Sequence, residues 1–329
     1  MPVVIIPSTV AAGAGPTLLT LRQKLADALG FYHATTVTEA TGGDPSRIVL
    51  SDELRDDERG YPFSGQGWVY VRTGAQAGTQ RRVISQPDVG YQGSMGVLVA
   101  SRPFAAPLET GDIIEVTDPL PVKRHLALKG LNTCIDEALE RCWVEAQISL
   151  TGNGTDAHDL SIYPYIELGA PQVMGTSDTR WAASNLSAMR SPGRTRIVTN
   201  GVTRTLVTDA IYGTSETFTL DVVVRGDRLV FDGTNWFYPT TPGLAGDDWQ
   251  TAVPERWVIT LGMVKALQQL DKMVRMRNGV NPDDRRMAIA DIAERRAVWA
   301  AAARDIVHYE MPKALPQRAE PFMALADWS

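Results

Sequence analysis

The chain has few of the side chains that metal proteins and nucleophilic enzymes depend on. Its 329 residues include two cysteines, Cys134 and Cys142, and four scattered histidines. No spacing among them suits a tetrahedral zinc site. If both cysteines lie in one helix, they are separated by roughly 12 Å along its axis, which is too far for a disulfide. We therefore expect reduced, buried thiols, and neither a metal nor another cofactor.

An excess of basic charge and a long hydrophobic run are also missing. Lys and Arg total 32 against 38 Asp and Glu, a formal net charge of −6. Because DNA affinity depends on neutralising phosphates, sequence-specific DNA binding by the whole surface is disfavoured. The longest N-terminal apolar patch, Val3 to Ile6, is too short for a signal peptide or a membrane span. The expectation is a chain that stays in the cytosol or leaves it inside an assembly.

Helical periodicity recurs in four segments. Residues 1–16 are rich in Pro and Gly and predict an extended arm, followed by a helix over 17–30. An amphipathic scaffold helix is predicted over 122–146, with a break near Gly130. The final helical segments form a predicted hairpin over 255–308, in which Asn281 caps the second helix. These helices predict a bundle that serves as a scaffold.

In two other regions apolar residues recur at every second position, which predicts β-structure. Residues 31–121 contain short strand runs and predict a small antiparallel barrel or sandwich. Residues 149–254 predict an inserted β-sandwich, in which Asn200-Gly201 suits the two-residue turn of a hairpin. The predicted class is α+β, a helical bundle scaffold with two inserted antiparallel β modules and extended terminal arms.

Signals for catalysis are weak. No nucleophile elbow or zinc-protease motif is present. The acidic loop from Asp52 to Glu58 offers carboxylates to a hard cation, but its spacing does not match a calcium loop. Glycoside hydrolysis needs two carboxylates, for which the candidates are Asp247 with Asp248 beside Trp249, or Asp156 with Asp159 near His158. A glycan hydrolase is retained only as a minor alternative to a chain without enzymatic activity.

Two groups of apolar side chains are candidates for binding. Trp236, Tyr238 and Trp249 in the second β region could stack on a sugar or a partner, although packing within a hairpin is the favoured interpretation. Disordered tails are poor in bulky apolar residues, yet residues 309–329 are rich in them. This arm is therefore predicted to bind a partner or to fold back on its own chain. Its predicted binding residues are Tyr309, Met311, Leu315, Phe322, Met323, Leu325 and Trp328.

The layout resembles a known family. A short N-terminal helix precedes a β region and then a helix that contains asparagine, as in tailed-bacteriophage neck proteins. The closing helical hairpin with an extended arm is similar to head-tail connector adaptors, the head-completion proteins that form rings under the portal. The resemblance covers about residues 17–146 and 255–329, whereas the β region over 149–254 departs from a minimal helical adaptor. The motifs that carry it are Gly67-Trp68-Val69-Tyr70-Val71, Gly74 to Ile84 (GAQAGTQRRVI), and Gly111 to Val116 (GDIIEV).

The resemblance implies a viral structural protein of the bacteriophage virion. Such a protein would be a homo-oligomeric ring of about twelve subunits, a dodecamer, in the neck. It would join the portal protein, gripped by the C-terminal arm, to a downstream tail protein. It would also line the channel through which double-stranded DNA passes during genome ejection, without sequence-specific binding. Assembly would take place in the host cytoplasm, with no membrane partner. The alternative is a tail, fibre or baseplate component whose β module binds a receptor or glycan.

Overall fold

The structure is a computed structural model that describes residues 4–7, 15–29, 31–39, 44–50, 68–83, 97–118, 128–168, 196–208, 211–276 and 281–312. Within them the helices are α1 (Leu18–Leu29), α2 (Leu128–Leu139), α3 (Glu255–Arg275) and α4 (Pro282–Asp305). The strands are β1 (Val4–Pro7), β2 (Phe31–Glu39), β3 (Arg47–Leu50), β4 (Trp68–Val71), β5 (Gln80–Arg82), β6 (Val97–Val99), β7 (Ile113–Asp118), β8 (Trp143–Thr151), β9 (Ala157–Asp159), β10 (Ile166–Leu168), β11 (Arg196–Asn200), β12 (Thr203–Val207), β13 (Thr217–Arg225), β14 (Val230–Phe231), β15 (Trp236–Phe237) and β16 (Gln250–Thr251). The protein is therefore mixed α+β, as the sequence predicts.

The chain folds into two compact units, each built from separate stretches of sequence. The helical unit contains the described residues of 18–138 and 255–305. The β unit contains those of 1–17, 139–254 and 306–329. The first predicted β region thus belongs to the same unit as the helices, whereas the second β region is the centre of the other unit.

A six-stranded antiparallel sheet organises the helical unit. Its strand order is β5-β4-β7-β2-β3-β6. The chain just beyond β5 and β6 is joined by a bridge between Val83 and Ala100, so the sheet curls until its two outer strands meet. Apolar side chains fill the concave side of this sheet. They come from alternate residues of the strands, which point to the same face. This core contains Val37, Ile48, Val69, Val71, Val83, Leu98, Ala100, Phe104, Leu108, Ile114 and Val116.

The helices of the helical unit pack through their apolar faces, and α4 begins at the cap that its sequence predicts. Leu21 and Leu25 are fully buried on α1, which contacts α3, and α3 packs along α4. The Asn281 side-chain oxygen accepts a hydrogen bond from the Asp283 amide at 3.1 Å, which supplies a partner for an otherwise unpaired amide of the first turn. The predicted helices over 17–30 and 255–308 are therefore present with nearly the predicted bounds.

A buried ion pair lies between α1 and the convex side of the sheet. The Arg22 guanidinium donates to both carboxylate oxygens of Glu115, at 2.7 and 3.0 Å, and both side chains are 0% exposed. Glu115 lies on β7 between Ile114 and Val116, so it points away from the aliphatic core. Arg22 also lies over the Tyr70 ring, 5.0 Å from its centroid. One charged pair thus connects α1 to two adjacent strands.

Long strands form the middle of the β unit. β8 and β13 pair along their whole length, from Trp143 opposite Arg225 to Thr151 opposite Thr217. The sheet order is β1-β8-β13-β10, and two three-stranded sheets, β11-β12-β9 and β15-β14-β16, complete the unit. The described part of the N-terminal arm is extended, as predicted, but it is not free. Its strand β1 pairs with β8 of the same chain.

The predicted helix over 122–146 is wrong at its C-terminal end. α2 ends at Leu139, no break occurs at Gly130, and strand β8 begins at Trp143. From this point alternate residues are buried, beginning with Val144 and Ala146, which is the period of a half-buried strand. Cys142 follows the helix instead of lying in it, and its amide donates to the Leu139 carbonyl at 3.1 Å.

Two local assignments in the second β region also change. Asn200 pairs with Thr203, so the hairpin turn consists of Gly201 and Val202 instead of Asn200 and Gly201. Gly201 has a φ of +62°, a conformation that glycine adopts without the steric cost of a β-carbon. The alternation of residues also predicts a strand over Asp227 to Phe231, but the structure has a strand only at its end. A 3-10 turn over Gly226–Arg228 precedes the short strand β14.

Removing one member of the Arg22–Glu115 pair should strongly destabilise the helical unit. Glu115→Leu removes the carboxylate that neutralises a fully buried guanidinium, for which we expect a loss of about 3–5 kcal/mol. Arg22→Met with Glu115→Leu should recover most of that loss, because no buried charge remains. Urea denaturation of the full chain provides the measurement.

An exposed ion pair of the same unit serves as the control. Lys24 Nζ lies 2.6 Å from Glu255 Oε1, and the two side chains are 54% and 38% exposed. Lys24→Ala should cost less than about 1 kcal/mol. Equal effects of Lys24→Ala and Glu115→Leu would show that burial of the Arg22–Glu115 pair carries no special weight.

Candidate functional site

The C-terminal end of α4 continues into an apolar segment that the structure describes only as far as Pro312. A π-helical turn over Ile306–Glu310 follows α4, and the Met311 amide donates to the Ile306 carbonyl at 3.0 Å. Tyr309 is 85% exposed, whereas Met311 is buried. The other predicted arm residues, Leu315, Phe322, Met323, Leu325 and Trp328, lie outside the described residues. The described start of the arm thus presents one large exposed aromatic ring.

Two stripes along the exposed side of α4 were not singled out from the sequence as a binding surface. Met287 and Val298 are 65% and 66% exposed on this helix. They share one stripe with acidic residues, since steps of three and four residues return to the same face. The acidic stripe consists of Met287, Asp291, Glu294, Val298, Ala301 and Asp305, all exposed. The neighbouring basic stripe consists of Arg286, Ala290, Ala293, Ala297, Ala300 and Arg304, all exposed except the half-buried Ala300.

The three aromatic residues predicted as a binding surface are half-buried and contact other aromatic rings of the β unit. The ring of Trp236 lies 5.4 Å from that of Phe231. Trp249 meets Phe237 edge-on at 5.3 Å. The Tyr238 hydroxyl accepts a hydrogen bond from the Tyr165 amide at 3.2 Å, and burial raises the pKa of Tyr238 to about 12. Packing within the chain therefore accounts for much of their surface.

An arginine cluster holds the chain beside Tyr238. Arg225 donates twice to the fully buried carboxylate of Asp227, both at 2.6 Å. The Tyr165 ring lies 3.6 Å from the guanidinium carbon of Arg225 and 4.9 Å from that of Arg228. The Arg228 guanidinium also donates to the carbonyl of Pro239 at 3.0 Å. These contacts use the charges of the cluster to fix the 3-10 turn and the following aromatic segment.

His158 is buried among aromatic rings on β9. Its ring centroid lies 4.9 Å from that of Phe218 and 6.4 Å from that of Tyr212. Its Nε2 has no hydrogen-bond partner among the described residues. Burial lowers the pKa of His158 from its ordinary value of 6.5, against a smaller opposing effect of the Asp156 carboxylate. The folded chain thus favours the neutral imidazole.

Asp159, one of the carboxylates considered for a glycan hydrolase, does not have the raised pKa of a general acid. Asp159 accepts a hydrogen bond from the Ser161 amide at 2.8 Å. Hydrogen bonds from Ser161 lower the pKa of Asp159, whereas a general acid needs a raised pKa. Asp159 is therefore held as a turn-capping carboxylate.

Three further predictions concern metals, thiols and membranes. Among the described residues, no group of three or more His, Cys, Asp or Glu side chains could hold a metal ion. The acidic loop from Asp52 to Glu58 lies outside that part of the chain. Cys134 and Cys142 are both buried free thiols, and burial raises the pKa of each to about 12. No helix in the described ranges is long and apolar enough to cross a membrane.

Comparisons with known proteins identify no relative of this chain. No protein-family model, no curated protein and no solved structure matches it. The interpretation of its function therefore depends on the residues described above.

The buried histidine should make stability depend on pH. Because the pKa of His158 is lower in the folded state than its value of about 6.5 in an unfolded chain, stability is fully present above that pH. It should decline as the pH falls from 6.5 towards the folded-state pKa, since the unfolded state then binds more protons. His158→Phe should reduce this decline. Urea denaturation of both chains between pH 8 and 5 provides the comparison, and parallel curves would contradict the expectation.

The two thiols should report on the two units separately. Cys134 lies in the helical unit and Cys142 in the β unit, and the thiolate is the reactive form. We expect slow modification of either thiol by a disulfide reagent in the native chain at pH 8, and rapid modification of both in concentrated urea. Cys134→Ala and Cys142→Ala variants assign each rate. Rapid modification of the native chain would contradict the burial of the thiols.

Proposed function

We propose that this chain is a structural protein of a tailed-phage virion, which forms a ring in the neck between the portal and the tail. In this role α1 to α4 act as a bundle that supports two β modules, and the C-terminal arm grips the portal. Residues 309–329 would dock on the portal, which buries apolar surface without requiring a catalytic group. Double-stranded DNA would pass through the ring without sequence-specific contacts.

The exposure of Tyr309 is the observation that carries this proposal. A tyrosine that is 85% exposed directly after a long helix presents apolar surface where the chain leads into residues 313–329. The sequence of that segment adds Leu315, Phe322 and Trp328. A run of apolar residues that begins on an exposed ring is suited to docking on a partner.

The charge balance supports a role in which DNA passes through the ring without being retained. The chain has a formal net charge of −6, with 38 Asp and Glu against 32 Lys and Arg. Negative surfaces repel DNA phosphates and lower the affinity for them. An acidic wall would therefore let DNA slide.

A receptor- or glycan-binding tail component is the alternative. It would use Trp236, Tyr238 and Trp249, whose rings would need open faces for stacking on sugars. The ring contacts within the β unit favour a packing role for these residues instead. We therefore place the neck role first.

Truncation of the arm should separate docking from folding. Deleting residues 313–329 leaves every described element intact, so we expect unchanged thermal unfolding but loss of co-purification with the portal protein encoded by the same genome. Tyr309→Ala in the full chain should weaken co-purification by more than about tenfold, since a fully buried aromatic anchor commonly contributes at least 2 kcal/mol. Val202→Ala, at an exposed hairpin tip of the β unit, serves as the control.

The location in the particle gives an independent test. Electron microscopy of virions labelled with an antibody against this chain should place the label between head and tail. Label at the distal fibres, or retained portal binding after the deletion, would contradict the proposed neck role.

A further inference from the structure

We propose that the acidic stripe of α4 in one copy packs against the basic stripe of α4 in the next copy, so that α4 forms the interface between neighbouring ring subunits. This inference rests on the proposed ring. It assigns the surface through which the subunits meet, which is distinct from the arm that would bind the portal.

The contacts of α4 within its own unit leave these two stripes on its outer side. Ala288, Ile292 and Ala303 are the buried residues of the helix, and α4 packs along α3. Arg295 on the same side donates to the Ala28 carbonyl at 3.0 Å. Since each residue advances about 100° around the axis, the acidic and basic stripes lie on successive faces away from this packed side.

The two stripes are complementary in size. Val298 is the large exposed apolar side chain in the middle of the acidic stripe, and the corresponding position of the basic stripe is Ala297. Met287, at the N-terminal end of the acidic stripe, corresponds to Arg286. Large side chains pack into spaces beside small ones, and small residues let helix axes come close. The exposed side chain of Val298 thus meets a surface on the next copy that has room for it.

The two stripes are also complementary in charge. Asp291, Glu294 and Asp305 lie on the acidic stripe, and Arg286 and Arg304 lie near the two ends of the basic stripe. Arg286 Nη1 lies 3.8 Å from Oδ1 of Asp283 on the same helix, and both side chains are at least 80% exposed. Such an exposed pair is weak, so it does not prevent Arg286 from pairing across an interface. Opposite charges would fix which stripe meets which.

A ring in which α4 lies beside α4 of the next subunit brings the acidic stripe of one copy to the basic stripe of its neighbour. Neighbours in a cyclic assembly use two different surfaces and are related by one rotation. In a ring of many subunits that rotation is small, so equivalent helices lie nearly parallel. Steps of four and three residues along both stripes match the packing of nearly parallel helices. A second copy is therefore the occupant that fits this face.

Charge reversal in the full chain provides the test. One variant, Asp291→Lys with Glu294→Lys, makes the acidic stripe positive. The other, Arg286→Glu with Arg304→Glu, makes the basic stripe negative. Both use residues that favour helices, and circular dichroism checks the fold. Lys129→Glu with Arg82→Glu changes the net charge as much as the second variant, at exposed positions of the helical unit outside α4, and serves as the control.

Sedimentation velocity over a range of concentrations at low ionic strength measures assembly. We expect wild type and control to form oligomers larger than a dimer, and each α4 variant to associate at least tenfold more weakly. An equimolar mixture of the two α4 variants should regain the oligomer, because both kinds of contact in an alternating ring then join opposite charges. Added salt should weaken wild-type assembly.

Four results would overturn the interface. They are a wild type that stays monomeric, an α4 variant that assembles like wild type, a control as impaired as the α4 variants, and a mixture that does not assemble. The neck role fails separately. If the mixture assembles but antibody label is absent from the neck, the interface stands and the neck role is wrong. If label lies at the neck but the α4 variants assemble normally, the neck role stands and the interface is wrong.

Discussion

The buried pair of Arg22 and Glu115 is the constraint on which the helical unit depends. A charge without a partner inside a protein costs several kcal/mol, so each member requires the other. The two residues are 93 positions apart in sequence, and their contact requires α1 to lie against the convex face of the sheet at one register. Aliphatic packing alone tolerates sliding of a helix over a sheet, whereas a two-point hydrogen-bonded pair does not. The position of α1, and of α3 packed on it, therefore follows from this contact.

The β unit uses charge in a similar way, although its main effect is on a turn. Asp227 has no exposed surface and lies with two arginines, one of which stacks on Tyr165. This arrangement fixes the chain where the long strand β13 ends and the aromatic segment begins. The aromatic rings at this point are thus structural neighbours of a buried ion cluster. Among the described residues, the outer side of α4 and Tyr309 present large apolar side chains that are mostly exposed.

The sequence predicts those elements whose signals are local. In the sequence, Thr17 and Gly30 predict the bounds of α1, and Asn281 with Pro282 predicts the start of α4, because caps and apolar stripes act within a few residues. The apolar spacing of Ala138, Leu139 and Cys142 extends the predicted helix to residue 146, over the first four residues of β8. Whether these residues form a strand depends on their pairing with β13, which lies more than sixty residues later in the sequence. Strand β2, in the interior of its sheet, was not singled out, since its run of threonines gives little contrast between faces. The candidate interface on α4 could not be predicted from the sequence, because the sequence does not show which side of the helix packs on the rest of its unit.

The pairing of β1 with β8 has a consequence for how the chain is made. A ribosome delivers residues 4–7 first, but their partner strand begins at Trp143, and the other edge of that partner is filled by β13, which begins at Thr217. The N-terminal strand must therefore wait while the intervening sequence emerges. Contacts of such long range are slow to form and leave an edge strand exposed meanwhile. Strand β8 therefore gains both of its neighbours only after Thr217 to Arg225 have been synthesised.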